Sequence, residues 1–198
     1  MTAKREETDM DLRKGLSLTA YGFLLLLVDV NLTLSGSTFC LTPDFVGWIL
    51  LFLAWEPLGD YTASHRELHW IPAVMALVSG LEWAVKLFRP ELWSSGLSVL
   101  SSLGALVTAA YVFLLFSALE RLAADHQSPQ ERKLHTLKYL VIGLEAAFCV
   151  TGLLTLALEQ LALLVLILGV AALVTAVAAV VTLFRLRREL QDRSSDRL

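Results

Sequence analysis

Four acids stand within or at the edge of apolar runs: Asp29, Glu56, Glu82 and Glu145. Placing an ionisable side chain at the centre of a membrane helix costs about 2.5–3.5 kcal/mol on insertion scales, so such a residue marks an ion path, a ligand site or a bond between helices. At about 1.5 Å per residue, Asp29 and Glu82 each lie roughly 20 Å along their helices, in one outer layer. Glu56 and Glu145 lie about 12 Å or less from the opposite face, in an inner layer. Lys86 follows Glu82 by four residues, the favoured order for a helical ion pair, or else snorkels outward to headgroups. Unpaired carboxyls at such depth stay largely neutral. That suits a proton relay and equally a silent hydrogen-bonded acid.

Other reactive side chains are sparse. The four histidines, His65, His69, His126 and His135, fall between apolar runs. His65 and His69 share a helical face, but a metal site takes three or four ligands at defined geometry, and solvated histidines are the expected reading. Two cysteines, Cys40 and Cys149, make no disulfide framework, and Cys149 reads as a small buried thiol. No metalloprotease, phosphate-loop, dinucleotide or serine-nucleophile pattern occurs. Neither an enzyme activity nor a cofactor is expected.

The elements that must position these acids are helices in a membrane. Of 198 residues, 56% are hydrophobic and 18% charged, against about 25% charged in soluble domains; the mean hydropathy is +0.64. Stretch 92–119 has no charge over 28 residues, and 161–184 none over 24, each beyond the roughly 20 residues a bilayer crossing needs. The fold class expected is all-α: an integral membrane bundle of six transmembrane helices, near 16–36, 43–60, 70–88, 92–119, 137–158 and 161–184. A tail, 1–15, precedes this transmembrane domain of 16–184, and a basic helical extension, 185–198, follows it. The first run lacks a cleavage pattern and reads as a retained span. Inside that span the sequon Asn31-Leu32-Thr33 is not expected to be modified.

Charge orients the spans. Fourteen of the sixteen Lys and Arg residues lie in the N-terminal tail, around Arg66, at Arg121, Arg132, Lys133 and Lys138, or in the C-terminal extension. Six crossings put all of these on one side, and basic loops stay cytoplasmic; both termini are therefore expected in the cytoplasm. Were 43–60 to dip and return, the later basic clusters would switch sides, so that segment must cross. Thr42 caps it, Pro43 suits the first helical position, and Asp44 complements the positive helix end. Residues 43–56 rise only about 21 Å, so the helix has to run on past Glu56 to Asp60-Tyr61, with a kink at Pro57.

Smaller signals fill in the bundle. Ser128-Pro129-Gln130-Glu131 is a capping box that starts the fifth helix outside the membrane, and Ser64-His65-Arg66-Glu67 is a second. Gly22, Asp29, Thr33 and Gly36 make a small, polar stripe on the first helix. Ser101-Ala105-Ala109, Gly143-Ala147-Thr151 and Ala172-Ala176 have the spacing that lets helices approach closely. Trp48, Trp70 and Trp93 fall near expected interfaces, where an aromatic belt belongs. In the tail, Arg185/Glu189, Arg188/Asp192 and Glu189/Arg193 are spaced as helical ion pairs.

The segment Thr42-Pro43-Asp44-Phe45-Val46-Gly47, with Asp29 upstream, resembles a group of small bacterial multi-pass membrane proteins that open their second span with Pro-Asp-Phe-x-Gly. The resemblance covers about the first third of the chain. It implies a bacterial cytoplasmic membrane and carries no activity and no catalytic residue with it.

Two functions compete. One is a non-enzymatic scaffold or accessory subunit acting through helix packing, with the lipid bilayer around it, a homo-oligomer or another membrane protein as partner, and no nucleic acid. The other is a small proton-coupled transporter, with Asp29 and Glu82 as outer site and Glu56 beside the kink as inner one. An intramembrane enzyme ranks third, for want of a nucleophile, metal set or base.

Overall fold

The computed structural model describes residues 2–27, 31–34, 37–40, 44–58, 69–88, 98–155 and 162–195. Six helices carry it: α1 (Thr2–Leu27), α2 (Asp44–Leu58), α3 (Trp70–Phe88), α4 (Ser98–Asp125), α5 (Glu131–Thr155) and α6 (Ala162–Ser195). A short antiparallel hairpin, β1 (Asn31–Leu34) and β2 (Ser37–Cys40), links α1 to α2. The chain is thus a helical bundle, as its periodicity and hydropathy predict.

The hairpin corrects the first expected span. Hydropathy extends that span to residue 36, but α1 ends at Leu27 and Leu34 pairs with Ser37, leaving Ser35 and Gly36 between the strands. From residue 29 to 34 polar and apolar residues alternate, a two-residue period that a helix cannot place on one face. The stripe Gly22-Asp29-Thr33-Gly36 therefore does not form, since Thr33 belongs to a strand. The sequon lies in that strand as well, so helix burial is no longer the reason to exclude its modification. At the other end α1 begins at Thr2, so most of the expected tail is helix.

Helices α2 and α3, and likewise α4 and α5, run antiparallel. Phe45, at the start of α2, meets Trp83 near the end of α3, with ring centroids 5.8 Å apart, while Phe52 lies 6.5 Å from His69 before α3. Phe113 of α4 meets Tyr139 of α5 at 6.1 Å. Tyr21 of α1 packs edge-on against Phe184 of α6 at 5.5 Å. Between α3 and α4 contact is slight, Met75 facing Gly104. The alternation closes consistently: the start of α1, the end of α2, the α4–α5 turn and the end of α6 share one end of the bundle.

The α4–α5 turn at that end follows the sequence closely. Gln127 takes a positive φ of 50°. The Ser128 N–H then reaches the Ala123 carbonyl and the Gln127 N–H that of Ala124, which closes α4 in a Schellman arrangement. Ser128 turns to cap α5, its Oγ accepting from the Gln130 N–H at 3.2 Å. α6 continues as one helix to Ser195, so the basic extension is helical as expected.

The core occupies the half of the bundle nearest this end. Leu12, Leu16, Ala20 and Phe23 line one stripe of α1; Trp48, Leu51, Trp55 and Leu58 line one of α2; Leu115, Phe116, Leu119 and Leu122 come from α4, and Leu183 and Leu186 from α6. These recur at three- and four-residue intervals, as a helix face requires. Away from this end the apolar surface turns outward: Leu77 on α3 is 75% exposed, and Leu163, Leu166, Val170 and Val174 on α6 are all exposed. Within the apolar helices the hydroxyls of Ser17, Thr19, Ser79, Thr108, Ser117, Thr175 and Thr182 each donate to the carbonyl four residues earlier. That bond satisfies a hydroxyl where no water is at hand.

Candidate functional site

Among the described residues, Glu56, Glu82 and Glu145 do not gather into one site. Glu56 is exposed on α2, and Glu82 is half-buried and engaged on α3. Glu145, half-buried on α5, lines a crevice bounded by α1, α4, α5 and α6, in whose walls neither Glu56 nor Glu82 appears. The shared inner layer of Glu56 and Glu145 is therefore a likeness of depth and not a common cavity. Asp29, Thr42 and Pro43, the continuation through Asp60-Tyr61, Ser64-His65-Arg66-Glu67 and Trp93 lie outside the described residues, as do the side chains of Lys86 and Cys149. Asp44 does open α2, as read from its position. Pro57 stands inside α2 one residue before the described end of that helix, where it takes away the N–H that would otherwise bond the Leu53 carbonyl.

Three features of the bundle carry polar or close-packed geometry. The first is the crossing of α1 and α2. A Cβ on Gly22 would lie 3.0 Å from the Gly47 carbonyl oxygen, and a Cβ on Gly47 would lie 2.9 Å from that of Gly22. One turn and more below, a Cβ on Gly15 would stand 2.7 Å from Leu58 and 3.2 Å from Pro57. Small residues let the two backbones touch. Sequence singles out Gly22 and Gly47 separately; what it lacks is that they face each other.

The second is an aromatic cluster at the core. Trp48 is buried and meets Tyr111 edge-on at 5.6 Å, and the Trp55 indole N–H donates to the Tyr111 hydroxyl at 3.1 Å. Trp48 is thus a core residue, 3% exposed, and not part of an interfacial belt. Trp70, 63% exposed, does face outward. Seven residues separate Trp48 from Trp55, two helical turns on one face, and that spacing is the available signal for the pair.

The third is polar and lies at the turn end. Glu189 of α6 accepts from the Ser128 hydroxyl and from the Gln130 amide, each at 2.5 Å. The carboxylate thus joins α6 to the α4–α5 turn, a contact across helices beyond the pairs its spacing along the tail suggests; the Arg193 side chain lies outside the described residues. Nearby, Glu120 accepts from His135 Nδ1 at 2.7 Å and from Lys138 Nζ. The Lys138 ammonium also lies over the Phe113 and Tyr139 rings, 5.6 and 5.2 Å from their centroids. Glu120 stands just beyond Leu119, where the charge-free run ends. Burial pushes its carboxyl up, but hydrogen bonds and charge from Lys138 and His135 outweigh this and hold it below the ordinary carboxylate value.

The three described histidines are not simply solvated. His135 pairs with Glu120, His126 Nδ1 donates to the Leu122 carbonyl at 2.9 Å, and His69 stacks on Trp70 at 4.5 Å. Among the described residues no three of His, Cys, Asp or Glu converge as metal ligands do.

The small-residue stripes divide. Gly143 is exposed with nothing within 4 Å of an added Cβ. Ala172 and Ala176 line the crevice, so their smallness opens space as well as permitting contact. Compared with family models, with curated proteins and with solved structures, the chain finds no match.

Proposed function

We propose that the chain is a six-span membrane protein of the bacterial cytoplasmic membrane, with both ends in the cytoplasm, acting without catalysis as a scaffold or accessory subunit. The observation that carries the membrane reading is the outward apolar face of α3 and α6. Side chains such as Leu77, Leu81, Leu163, Leu166, Val170 and Val174 are exposed together, far more than a water-facing surface tolerates. Two helical stretches, Leu106–Asp125 and Leu166–Gln191, are long and apolar enough to cross alone.

The topology draws support from charge and direction together. The alternating helices bring Arg13, Lys14, Arg132, Lys133, Arg185 and Arg188 to one end of the bundle, as basic residues on a cytoplasmic face require. α1, with 26 residues, rises about 39 Å, and α2 (Asp44–Leu58) about 22 Å, against a core of roughly 30 Å.

The scaffold reading rests on the described acids, Glu56, Glu82 and Glu145, standing apart. A relay needs carboxyls within reach of one another or of shared water, and Glu145 has its crevice without Glu56 or Glu82. Proton-coupled transport is the rival, and reconstitution decides between them. Vesicles of purified protein with an internal pH dye should hold an imposed proton gradient as well as protein-free vesicles do. A flux abolished by Asp29→Asn or Glu145→Gln would replace the scaffold with a transporter.

A further inference from the structure

The crevice between α1, α4, α5 and α6 has a volume of about 410 Å³, within the roughly 300–1,000 Å³ of small-molecule pockets. It exists because alanines, Ala109 on α4 and Ala172 and Ala176 on α6, stand where the helices converge. Most of its wall is hydrocarbon or aromatic, with Phe23 and Phe116 at the side of the packed core.

Its polar groups are of one kind. Glu145 borders it with no hydrogen-bond or ion-pair partner among the described residues. Thr108 and Thr175 border it too, and each has already given its hydroxyl proton to a carbonyl of its own helix, Gly104 and Ala171. Both hydroxyls keep free lone pairs. Once Glu145 is ionised the wall therefore offers acceptors, and among the described residues no Lys, Arg, His, Asn, Gln or Trp stands in it. An ammonium group is the complement, since it carries up to three N–H donors, a positive charge and no acceptor.

Depth narrows the ligand. Glu145 lies about 12 Å beyond Leu137 along α5, and Thr175 about 14 Å before Phe184 along α6. Both positions are near the middle of a roughly 30 Å hydrocarbon core, below the level of phospholipid amines. We propose that the crevice binds a small lipophilic amine, its ammonium on the Glu145 carboxylate and the Thr108 and Thr175 oxygens, its apolar body against Phe23 and Phe116. A neutral amine entering from the bilayer takes the carboxyl proton of Glu145, so the ion pair forms with no change in total charge. The depth rests on the membrane reading; the ligand chemistry is independent of whether the protein serves as a scaffold.

The full chain in phosphatidylcholine nanodiscs tests this by calorimetric titration, with empty nanodiscs as the blank. The probes are 1-aminoadamantane and 1-adamantanol, which share one cage and differ in the amine. The amine should bind saturably, one per chain, at least about tenfold more tightly than the alcohol. Glu145→Gln should level the two probes, Ala176→Phe should abolish both by filling the space, and Glu56→Gln should change neither. Equal binding of amine and alcohol to the unmodified protein, which would mark the crevice as a seat for apolar matter such as an acyl chain, overturns the proposal. So does an amine preference that survives Glu145→Gln, or uptake no greater than that of empty nanodiscs.

Discussion

Gly22 and Gly47 meet backbone to backbone: each occupies the place where the other's carbonyl oxygen would touch a Cβ, at 3.0 and 2.9 Å. The Leu51 and Leu26 side chains, at 2.9 and 2.8 Å, can give way, but the rigid carbonyls beside them cannot, so even one methyl has to push α1 and α2 apart. Gly22→Ala and Gly47→Ala should each lower stability by about 1–3 kcal/mol, the usual cost of overpacking. Because the two methyls would press on the same contact, the double variant should cost less than the sum. Urea or thermal melts in detergent measure both. Unchanged melting in either single variant would mean that the helices cross elsewhere.

Trp55 and Tyr111 share one buried bond of 3.1 Å. Tyr111→Phe leaves an indole N–H buried without a partner, at a cost of about 1–3 kcal/mol. Adding Trp55→Phe removes that orphan, so the second substitution should cost less in a chain already carrying Tyr111→Phe than alone. A double-mutant cycle on melting free energies reads the coupling. Strict additivity would show that the bond contributes nothing.

Glu189 ties the end of α6 to the α4–α5 turn through Ser128 and Gln130. Both partners are buried, so Glu189→Ala strands a hydroxyl and an amide, at about 1–3 kcal/mol for each polar group left without its partner. The turn should also become the first site of cleavage by added protease. Protection of residues 126–130 equal to that of the unmodified protein would show that the Schellman turn holds by itself.

Glu120 makes stability depend on pH in a stated direction. Its folded carboxyl sits below the unfolded value, so the stabilisation is present above the ordinary Glu value, near about 4.3, and is lost as pH falls through the folded value. Melting temperatures across that acid range should fall more steeply for the unmodified protein than for Glu120→Gln. A steeper fall in the variant would reverse the sign and refute the Lys138 and His135 pairing.

Much of this fold is legible from residues alone. Charge-free runs and basic clusters yield helices with alternating direction, and Ser128-Pro129-Gln130-Glu131 starts α5 where its capping chemistry says. Hydropathy misses the hairpin because it counts Val30, Leu32 and Leu34 without regard to their alternation with polar neighbours. It sets Trp48 at an interface because depth along a helix says nothing about which face is covered; Tyr111 covers it. Glu189 has suitable partners along its own helix, and only the return of α6 beside the α4–α5 turn offers it better ones. Glu145 is visible as an acid in an apolar run, but the crevice beside it depends on alanines from other helices, which no local pattern links to it.

The account rests most heavily on an even number of crossings with both ends in the cytoplasm. With Cys40 and Cys149 replaced by serine, single cysteines at Thr2, Arg132, Ser195 and Glu91, between the expected third and fourth spans, can be probed with a membrane-impermeant maleimide. Thr2→Cys, Arg132→Cys and Ser195→Cys should label only in inverted vesicles, and Glu91→Cys only in right-side-out ones. Labelling of Thr2→Cys and Ser195→Cys from opposite faces would contradict the account.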